Sequence, residues 1–127
     1  MKDDTLRILI GDAQSRVRFG LRVLLEEQAG WRVVAEAADT AALLKLVRDR
    51  CPDVVLVDWE LPRLPAEQTL AALRRACPTV RVILMSSNDD LRQRARQTGA
   101  DLFVYKADPP DRLLHLIRGL TVSHRVP

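Results

Sequence analysis

The sequence is poor in aromatic residues and has no long hydrophobic run. Aromatic residues make up 4% of its 127 residues, which argues against a surface that stacks the bases of single-stranded nucleic acid. Each apolar run is only a few residues long, whereas a membrane-spanning helix needs about 20 apolar residues. Three charged residues follow Met1, and this segment shows no hydrophobic leader. We therefore expect a cytoplasmic protein that makes no contact with a membrane.

The chain also lacks a large excess of charge of either sign. It has 20 basic and 17 acidic residues, for a net charge of +3. The basic residues are scattered along the chain, whereas a nucleic-acid interface usually concentrates them in one patch. Arg92, Arg94 and Arg96 form the densest local group, but only Arg92 and Arg96 share a face of a helix. These observations predict a mixed, solvated surface and no direct binding of nucleic acid.

Cysteine is scarce as well. The two cysteines, Cys51 and Cys77, each precede a proline, and the sequence has no C-x-x-C motif and no cluster of cysteine with histidine. This spacing excludes the common zinc sites. We expect both residues to be reduced cysteines in the core of a cytoplasmic protein.

The sequence does have an ordinary globular composition, with 47% hydrophobic and 29% charged residues. Its length fits one domain. Five short apolar runs show no alternation with polar residues, which is typical of strands buried on both faces in a parallel sheet covered by helices. These runs are residues 8–10, 33–35, 54–57, 82–85 and 102–104.

Apolar residues recur with helical spacing between and after these runs. Asp39 and Asp108 are predicted N-caps, with Pro109 at the first helical position. The last helix is predicted to end near Gly119 or Leu120. Five strand–helix units in succession predict an α/β fold with a doubly wound open sheet and right-handed crossovers.

Four polar residues follow or end four of the predicted strands. Asp12 follows the first, Asp58 the third, Ser86 the fourth and Lys106 the fifth. Each alone is ordinary, because an aspartate there is usually a turn residue and a lysine is usually solvated. Ligands bind beyond the carboxyl ends of such strands, so we expect the four to converge. Two carboxylates, a hydroxyl and an ammonium group indicate phosphoryl transfer with an aspartyl-phosphate intermediate.

The same residues lie in stretches that resemble the receiver domain of two-component response regulators over nearly the whole chain. The matching stretches are RILIGD at 7–12, PDVVLVDWELP at 52–62, VILMSS at 82–87 and GADLFVYK at 99–106. The pattern is most similar to the NarL/FixJ-type subfamily. The resemblance implies a flavodoxin-like, three-layer (βα)5 sandwich with a parallel sheet of order 2-1-3-4-5. It also implies a receiver domain over residues 1–120 and a short tail over 121–127.

The resemblance implies a phosphoacceptor and its contacts. Asp58 would accept the phosphoryl group from a histidine kinase or a phosphotransfer protein. Ser86, Ser87 and Lys106 would contact the phosphoryl group. Any catalysis would be limited to self-phosphorylation and autodephosphorylation of the aspartyl-phosphate, without turnover of another substrate.

The resemblance also implies a metal site and a switch. Asp12, Asp58 and the backbone carbonyl of Glu60 would hold Mg²⁺. Ser86 and Phe103 would form the switch, with the Phe103 ring turning inward when the Ser86 hydroxyl is drawn toward the phosphoryl group. The alternative for Phe103 is a core residue that always points inward.

One departure from the family pattern concerns the metal. The family normally has two adjacent acidic residues after the first strand, and here the second is Ala13. Losing one carboxylate weakens the attraction for a cation, so we expect Mg²⁺ binding to be weaker by about tenfold or more. Ala66 and Pro65 replace a common glycine and aspartate in the next loop, and proline stiffens it.

These departures leave two main readings open. In one, the chain is a working phosphoacceptor, as Asp58, Ser86 and Lys106 indicate. In the other, it is a degenerate receiver that binds partners without phosphorylation, as Ala13 indicates. A third reading, an aspartate-nucleophile phosphatase, fits Asp58-Trp59-Glu60 only superficially, because in such enzymes the nucleophile follows the first strand.

The family implies partners beyond the kinase. A homodimer is compatible with the pattern, and a longer parent protein could carry a DNA-binding output domain.

Overall fold

Hydrophobic strands and amphipathic helices alternate through the part of the chain that the computed structural model describes, residues 5–61 and 65–125. The strands are β1 (Leu6–Gly11), β2 (Trp31–Ala37), β3 (Val54–Asp58), β4 (Arg81–Ser86) and β5 (Leu102–Tyr105). The helices are α1 (Ser15–Glu26), α2 (Thr40–Arg50), α3 (Ala66–Ala76), α4 (Arg92–Gln97) and α5 (Pro110–Arg125). A short 3-10 turn, Asp89–Leu91, precedes α4.

The five strands form one parallel sheet in the order β2-β1-β3-β4-β5. A doubly wound sheet is what the sequence pattern predicts, and this order is what the family resemblance implies; both expectations are confirmed. Every residue of the central strand β3 is buried, because helices cover both faces of the sheet. Such a strand carries apolar side chains on both faces, which explains the uninterrupted apolar runs.

The pleat of the sheet divides the core into two layers. Leu9 packs in the layer covered by α2, α3 and α4, whereas its neighbours Ile8 and Ile10 pack in the layer covered by α1 and α5. Side chains alternate across a strand, so one continuous apolar run supplies both layers. The result is the predicted three-layer sandwich.

The predicted helix boundaries are partly right. Asp39 is the N-cap of α2, and its carboxylate accepts a hydrogen bond from the Ala42 backbone N–H at 2.8 Å. The prediction for α5 is wrong by one residue, because the helix begins at Pro110 rather than Pro109. Its predicted end near residues 119–120 is also wrong, since α5 continues to Arg125. Local periodicity places such boundaries only to within a few residues.

The expectation of two reduced cysteines is wrong. Cys51 and Cys77 form a disulfide, with their Cα atoms 5.4 Å apart. Each residue immediately follows a helix, α2 for Cys51 and α3 for Cys77. These two helices pack side by side, so their C-terminal ends meet at the edge of the sheet opposite the carboxyl ends of the strands. A separation of 26 residues in sequence does not reveal this proximity.

The disulfide closes a loop that contains all of β3 and α3, which predicts a measurable effect of reduction. Closing a loop of 26 residues restricts the unfolded chain and stabilises the fold by about 3.5 kcal/mol in the chain-entropy model. Urea unfolding with and without a thiol reductant should therefore differ by roughly this amount. Cys51→Ser, at the exposed end of the bond, should show no dependence on the reductant. Equal stability of the wild-type chain in both conditions would contradict the prediction.

Candidate functional site

The carboxyl ends of four parallel strands bring the predicted polar residues to one edge of the sheet. Asp12 follows β1, Asp58 ends β3, Ser86 ends β4 and Lys106 follows β5. Backbone pairing fixes their relative positions, since the Lys106 N–H donates to the Ser86 carbonyl at 2.8 Å. The Asp12 N–H likewise donates to the carbonyl of Ala37 at 3.0 Å.

Lys106 joins the two carboxylates at the centre of this edge. Its ammonium nitrogen lies 2.8 Å from Oδ2 of Asp12 and 3.1 Å from Oδ1 of Asp58. Asp12 is completely buried and Asp58 is 7% exposed, so water compensates little of their charge. Buried charges that are left unpaired are costly. The ammonium group therefore holds two acids together that would otherwise repel each other.

The remaining atoms of Asp12 are also engaged. Its Oδ1 accepts a hydrogen bond from the Gln14 backbone N–H at 2.9 Å, and its carbonyl accepts one from the Arg18 guanidinium at 2.6 Å. Arg18 in turn pairs with Glu36 at the end of β2. Asp12 is thus a rigidly held member of the site.

Asp58 lies at the start of a tight turn. The Trp59 N–H donates to the Met85 carbonyl at 2.7 Å, which continues the β3–β4 pairing by one residue. The Leu61 N–H donates to the Asp58 carbonyl at 3.0 Å. The backbone on both sides of the carboxylate is therefore fixed by hydrogen bonds.

The pKa values of Asp58 and Lys106 follow from burial and from the contact between the two side chains. Burial raises the pKa of the Asp58 carboxyl, and the hydrogen bond from Lys106 offsets only part of this effect. For Lys106, burial lowers the pKa, but the hydrogen bonds to Asp12 and Asp58 outweigh it, so the pKa is raised above 10.5. The lysine is therefore firmly charged at neutral pH.

The two predicted serine contacts differ in their surroundings. Ser86 is buried, and its hydroxyl oxygen accepts a hydrogen bond from the Asn88 N–H at 3.0 Å. Ser87 is exposed. Glu60 also has an exposed side chain, which agrees with a role expected only of its backbone carbonyl. The structure therefore places Lys106 in contact with both Asp12 and Asp58. Ser86 ends β4, the strand between β3 and β5.

Phe103 points into the core. It is 8% exposed and packs in the same layer as Leu84 of β4, while the guanidinium of Arg92 lies 5.1 Å from the centre of its ring. The ring is thus inward in this structure, as the core-residue alternative expects. Its role in a switch stays a prediction.

Three residues near the site were missed by sequence reasoning. Arg18 supports Asp12 as described, the Asn88 side chain caps the 3-10 turn by accepting a hydrogen bond from the Asp90 N–H at 2.9 Å, and Arg94 of α4 lies 5.8 Å from the ring centre of Trp59. Asparagine side chains commonly accept a hydrogen bond from the backbone two residues further on, so Asn88 could have been found. The contacts of Arg18 and Arg94 depend on tertiary packing and leave no local signal.

The donor set can hold a hydrated magnesium ion. Mg²⁺ commonly takes one or two carboxylates and keeps several waters, which matches Asp12 and Asp58. Over residues 5–61 and 65–125 no group of three or more acidic, histidine or cysteine side chains is arranged around a common point. Both oxygens of Asp12 already have partners, so a metal ion must share this carboxylate with Lys106.

No helix in the described ranges combines the length and the apolar character that crossing a bilayer requires.

The family model and the similar proteins all indicate one family, the response regulators. Residues 8–118 match the model of the response regulator receiver domain. The chain is 34% identical over 105 residues to the "Probable transcriptional regulatory protein NarL" of Mycobacterium tuberculosis, covering 81% of this chain and 49% of that protein. It is 34% identical over 114 residues to the nitrate/nitrite response regulator protein NarP of Escherichia coli, covering 88% and 53%.

Solved structures agree. A two-component response regulator of the LuxR family from Aurantimonas sp. superposes with a TM-score of 0.85 at 30% identity, covering 94% of this chain and 86% of that chain. The chain spans about half the length of the curated relatives it matches.

The contact of Lys106 with two buried carboxylates predicts a large and pH-dependent loss of stability on its removal. Lys106→Met should lower the free energy of unfolding by about 3–5 kcal/mol at neutral pH, because it leaves Asp12 and Asp58 uncompensated. A carboxyl whose folded-state pKa is raised favours folding only while it is protonated. The loss should therefore shrink as the pH falls toward 3.8, the ordinary pKa of an aspartate.

Chemical denaturation at several pH values measures this loss. Lys45→Met is the matched control, since Lys45 forms an exposed ion pair with Asp49 on α2 and exposed pairs contribute little. A loss that is equal in the two variants, or constant with pH, would contradict the prediction.

Proposed function

Because the chain belongs to the response regulator receiver domain family, whose members act in two-component phosphorelay signalling, we propose that it accepts a phosphoryl group on Asp58. The donor is a histidine kinase or a phosphotransfer protein. The observation that supports this most directly is the Lys106 ammonium group, which lies within 3.1 Å of Asp58 and also contacts Asp12.

The reaction needs only a nucleophile and charge compensation. A carboxylate oxygen of Asp58 attacks the phosphorus of a phosphohistidine, the phosphorus–nitrogen bond breaks, and the imidazole leaves with that electron pair. The product is a mixed anhydride on Asp58. Lys106 stays beside the new phosphoryl oxygens as a point charge, and Ser86 donates its hydroxyl hydrogen to one of them. Water later hydrolyses the anhydride, which releases phosphate and restores the carboxylate.

Receiver domains generally use Mg²⁺ for this reaction, and here Asp12, Asp58 and the Glu60 carbonyl would hold it. When bound, the ion would neutralise negative charge on the phosphoryl oxygens. We propose that it binds weakly, for two reasons. Ala13 supplies no ligand, and Lys106 already occupies one oxygen of each carboxylate.

The output is proposed from the relatives. NarP is a response regulator by name, and the relatives are about twice as long as this chain. We propose that the domain works in the cytoplasm and controls an output domain, such as a DNA-binding domain, in a longer protein or in a partner. Phosphorylation would act through Ser86 and the β4–α4 segment. Phe103 would complete the switch, and a homodimer is one form the output could take.

A cytoplasmic location has a consequence for the disulfide. Disulfides are uncommon in reducing compartments. The exposed Cys51 end of the bond gives thiol reductants access. The redox potential of the compartment therefore sets the fraction of the chain that carries the bond.

The second candidate function is a degenerate receiver that binds partners without phosphorylation. Both oxygens of the Asp12 carboxylate already have partners, the Gln14 N–H and the Lys106 ammonium group, and this favours the degenerate receiver. The ammonium group compensates the negative charge of the carboxylate, so a metal ion would stabilise the site less. In this case Asp58 and Lys106 serve only to hold the strand ends together.

Incubation with acetyl phosphate and Mg²⁺, followed by intact mass measurement, separates the two functions. The phosphoacceptor predicts a gain of one phosphoryl group that Asp58→Asn abolishes. Asp49→Asn, at an exposed aspartate of α2, should keep the gain. No gain in the wild-type chain, or a gain located on another residue, would contradict the assignment of Asp58.

Restoring the missing acid should restore metal binding. We expect Ala13→Asp to tighten Mg²⁺ binding by about tenfold, measured by titration calorimetry. Gln14→Asp adds the same charge one residue further along and is the matched control, with a smaller gain expected. An unchanged affinity in Ala13→Asp, or equal gains in both variants, would show that residue 13 is not the position that limits the metal.

A further inference from the structure

The two ends of the Cys51–Cys77 disulfide differ in their access to solvent. The bond lies at the edge of the sheet opposite the phosphoryl-transfer site, and the proposed function does not use it. Cys51 is exposed, whereas Cys77 is completely buried in the core layer covered by α2, α3 and α4. A thiolate opens a disulfide by attacking one sulfur and displacing the other. A thiol from solution therefore reaches the sulfur of Cys51, and the sulfur of Cys77 is the leaving group.

The backbone at Cys51 has an unfavourable conformation. Its φ angle of 39° lies in the left-handed region, which residues with a side chain adopt rarely and at an energetic cost. Among the residues that the structure describes, Cys51 is the only non-glycine residue with a positive φ. Disulfides that are exposed or strained exchange with thiols more readily than buried, relaxed ones. Both features mark Cys51 as a reactive end of the bond.

Contacts within the chain hold Cys51 in place independently of the disulfide. Its N–H donates to the Val47 carbonyl at 2.8 Å, and its carbonyl accepts a hydrogen bond from the Arg7 guanidinium at 3.0 Å. Pro52 follows it and disfavours the right-handed helical conformation at the residue before a proline, so α2 ends here. Opening the bond therefore leaves Cys51 at the same exposed helix end, with its sulfur available to a thiol from solution.

Positive charge is concentrated around the bond. The last turns of α2 and α3 carry four arginines, Arg48, Arg50, Arg74 and Arg75. Arg50 and Arg75 are exposed, and no carboxylate in the described ranges pairs with either. The acids at this edge already accept hydrogen bonds from other groups of the chain; they are Asp49, Asp53 and Asp101. Guanidinium groups without a counter-charge attract anions from solution.

A small thiol with a negative charge matches these features. Glutathione is such a thiol, because it carries two carboxylates and one ammonium group at neutral pH. Its carboxylates fit the planar guanidinium fork and form charge-assisted hydrogen bonds with it, while its thiolate supplies the nucleophile. A neutral thiol supplies the same nucleophile but gains nothing from the arginines.

We propose that Cys51 is a site of reversible thiolation by a small anionic thiol such as glutathione, which Arg50 and Arg75 attract. The glutathione sulfur bonds to Sγ of Cys51, the bond to Cys77 breaks, and the Cys77 sulfur leaves with the electron pair and takes up a proton. A second glutathione then attacks the glutathione sulfur of this mixed disulfide and releases the Cys51 thiol.

The overall exchange is balanced and reversible. The disulfide of the chain is reduced to two thiols, and two glutathione molecules are oxidised to one glutathione disulfide. Glutathione disulfide drives the same steps backward and restores the Cys51–Cys77 bond. No step involves Asp58, so the proposal stands or falls separately from the proposed function.

Mass spectrometry of acid-quenched samples tests the site. When the wild-type chain with its intact disulfide reacts with glutathione, a species carrying one glutathione should form and map to Cys51. With glutathione disulfide as the reagent, Cys77→Ala should likewise gain one glutathione on Cys51. Cys51→Ser is the matched control, and it should react at least about tenfold more slowly, because its remaining thiol is buried.

Reduction kinetics test the role of the arginines. Arg50→Gln combined with Arg75→Gln should slow the reaction with glutathione by about threefold at low salt and leave that with neutral 2-mercaptoethanol nearly unchanged. Added salt should remove the difference. Arg16→Gln combined with Arg112→Gln removes the same charge from the first turns of α1 and α5, at the opposite edge, and should leave both rates nearly unchanged. All four arginines are exposed, so both variants should keep the fold.

Four results would each overturn the proposal. The first is a wild-type bond that resists glutathione under conditions in which 2-mercaptoethanol opens it, and the second is glutathione on Cys77 or on neither cysteine. The third is equal slowing in the two arginine double variants. The fourth is equal slowing of both thiols in the Arg50/Arg75 variant. The wild-type time course decides the first two results even if Cys77→Ala fails to fold.

Discussion

The ammonium group of Lys106 between Asp12 and Asp58 is the interaction on which the site depends. Two buried carboxylates on neighbouring strands repel each other and lose hydration, and a single cation within 3.1 Å of both compensates for these effects. The contact also joins the loops after β1, β3 and β5. A phosphoryl group on Asp58 would add negative charge beside the ammonium group that now compensates two carboxylates. The contacts of Lys106 with Asp12 and Asp58 would then change, and these contacts join three strand ends.

The parallel sheet brings the three residues of this contact to one edge. Strands that all run in one direction end at one edge, and helices on both faces keep that edge in register. Backbone hydrogen bonds then continue past the strands, from Trp59 to Met85 and from Lys106 to Ser86. The opposite edge carries the Cys51–Cys77 disulfide. The chain is thus covalently tied at one edge and electrostatically tied at the other.

The segment between β4 and α4 connects the site to β5. Ser86 ends β4, and the chain then passes through Asn88 to Asp89 and Arg92, whose guanidinium group covers the ring of Phe103. A movement of Ser86 would therefore reach Phe103 through a short, hydrogen-bonded stretch. This route requires no large rotation of Phe103, whose ring is already buried.

The sequence alone determined the strand–helix alternation, the parallel sheet and the strand ends that carry Asp12, Asp58, Ser86 and Lys106, because uninterrupted apolar runs have few other solutions. It also showed that Ala13 stands where the family normally has a second acidic residue. Only the tertiary structure decided what depends on distant packing: the Cys51–Cys77 bond, the engagement of both Asp12 oxygens and the extension of α5. These contacts join residues far apart in sequence or set helix ends, and local patterns carry no information about either.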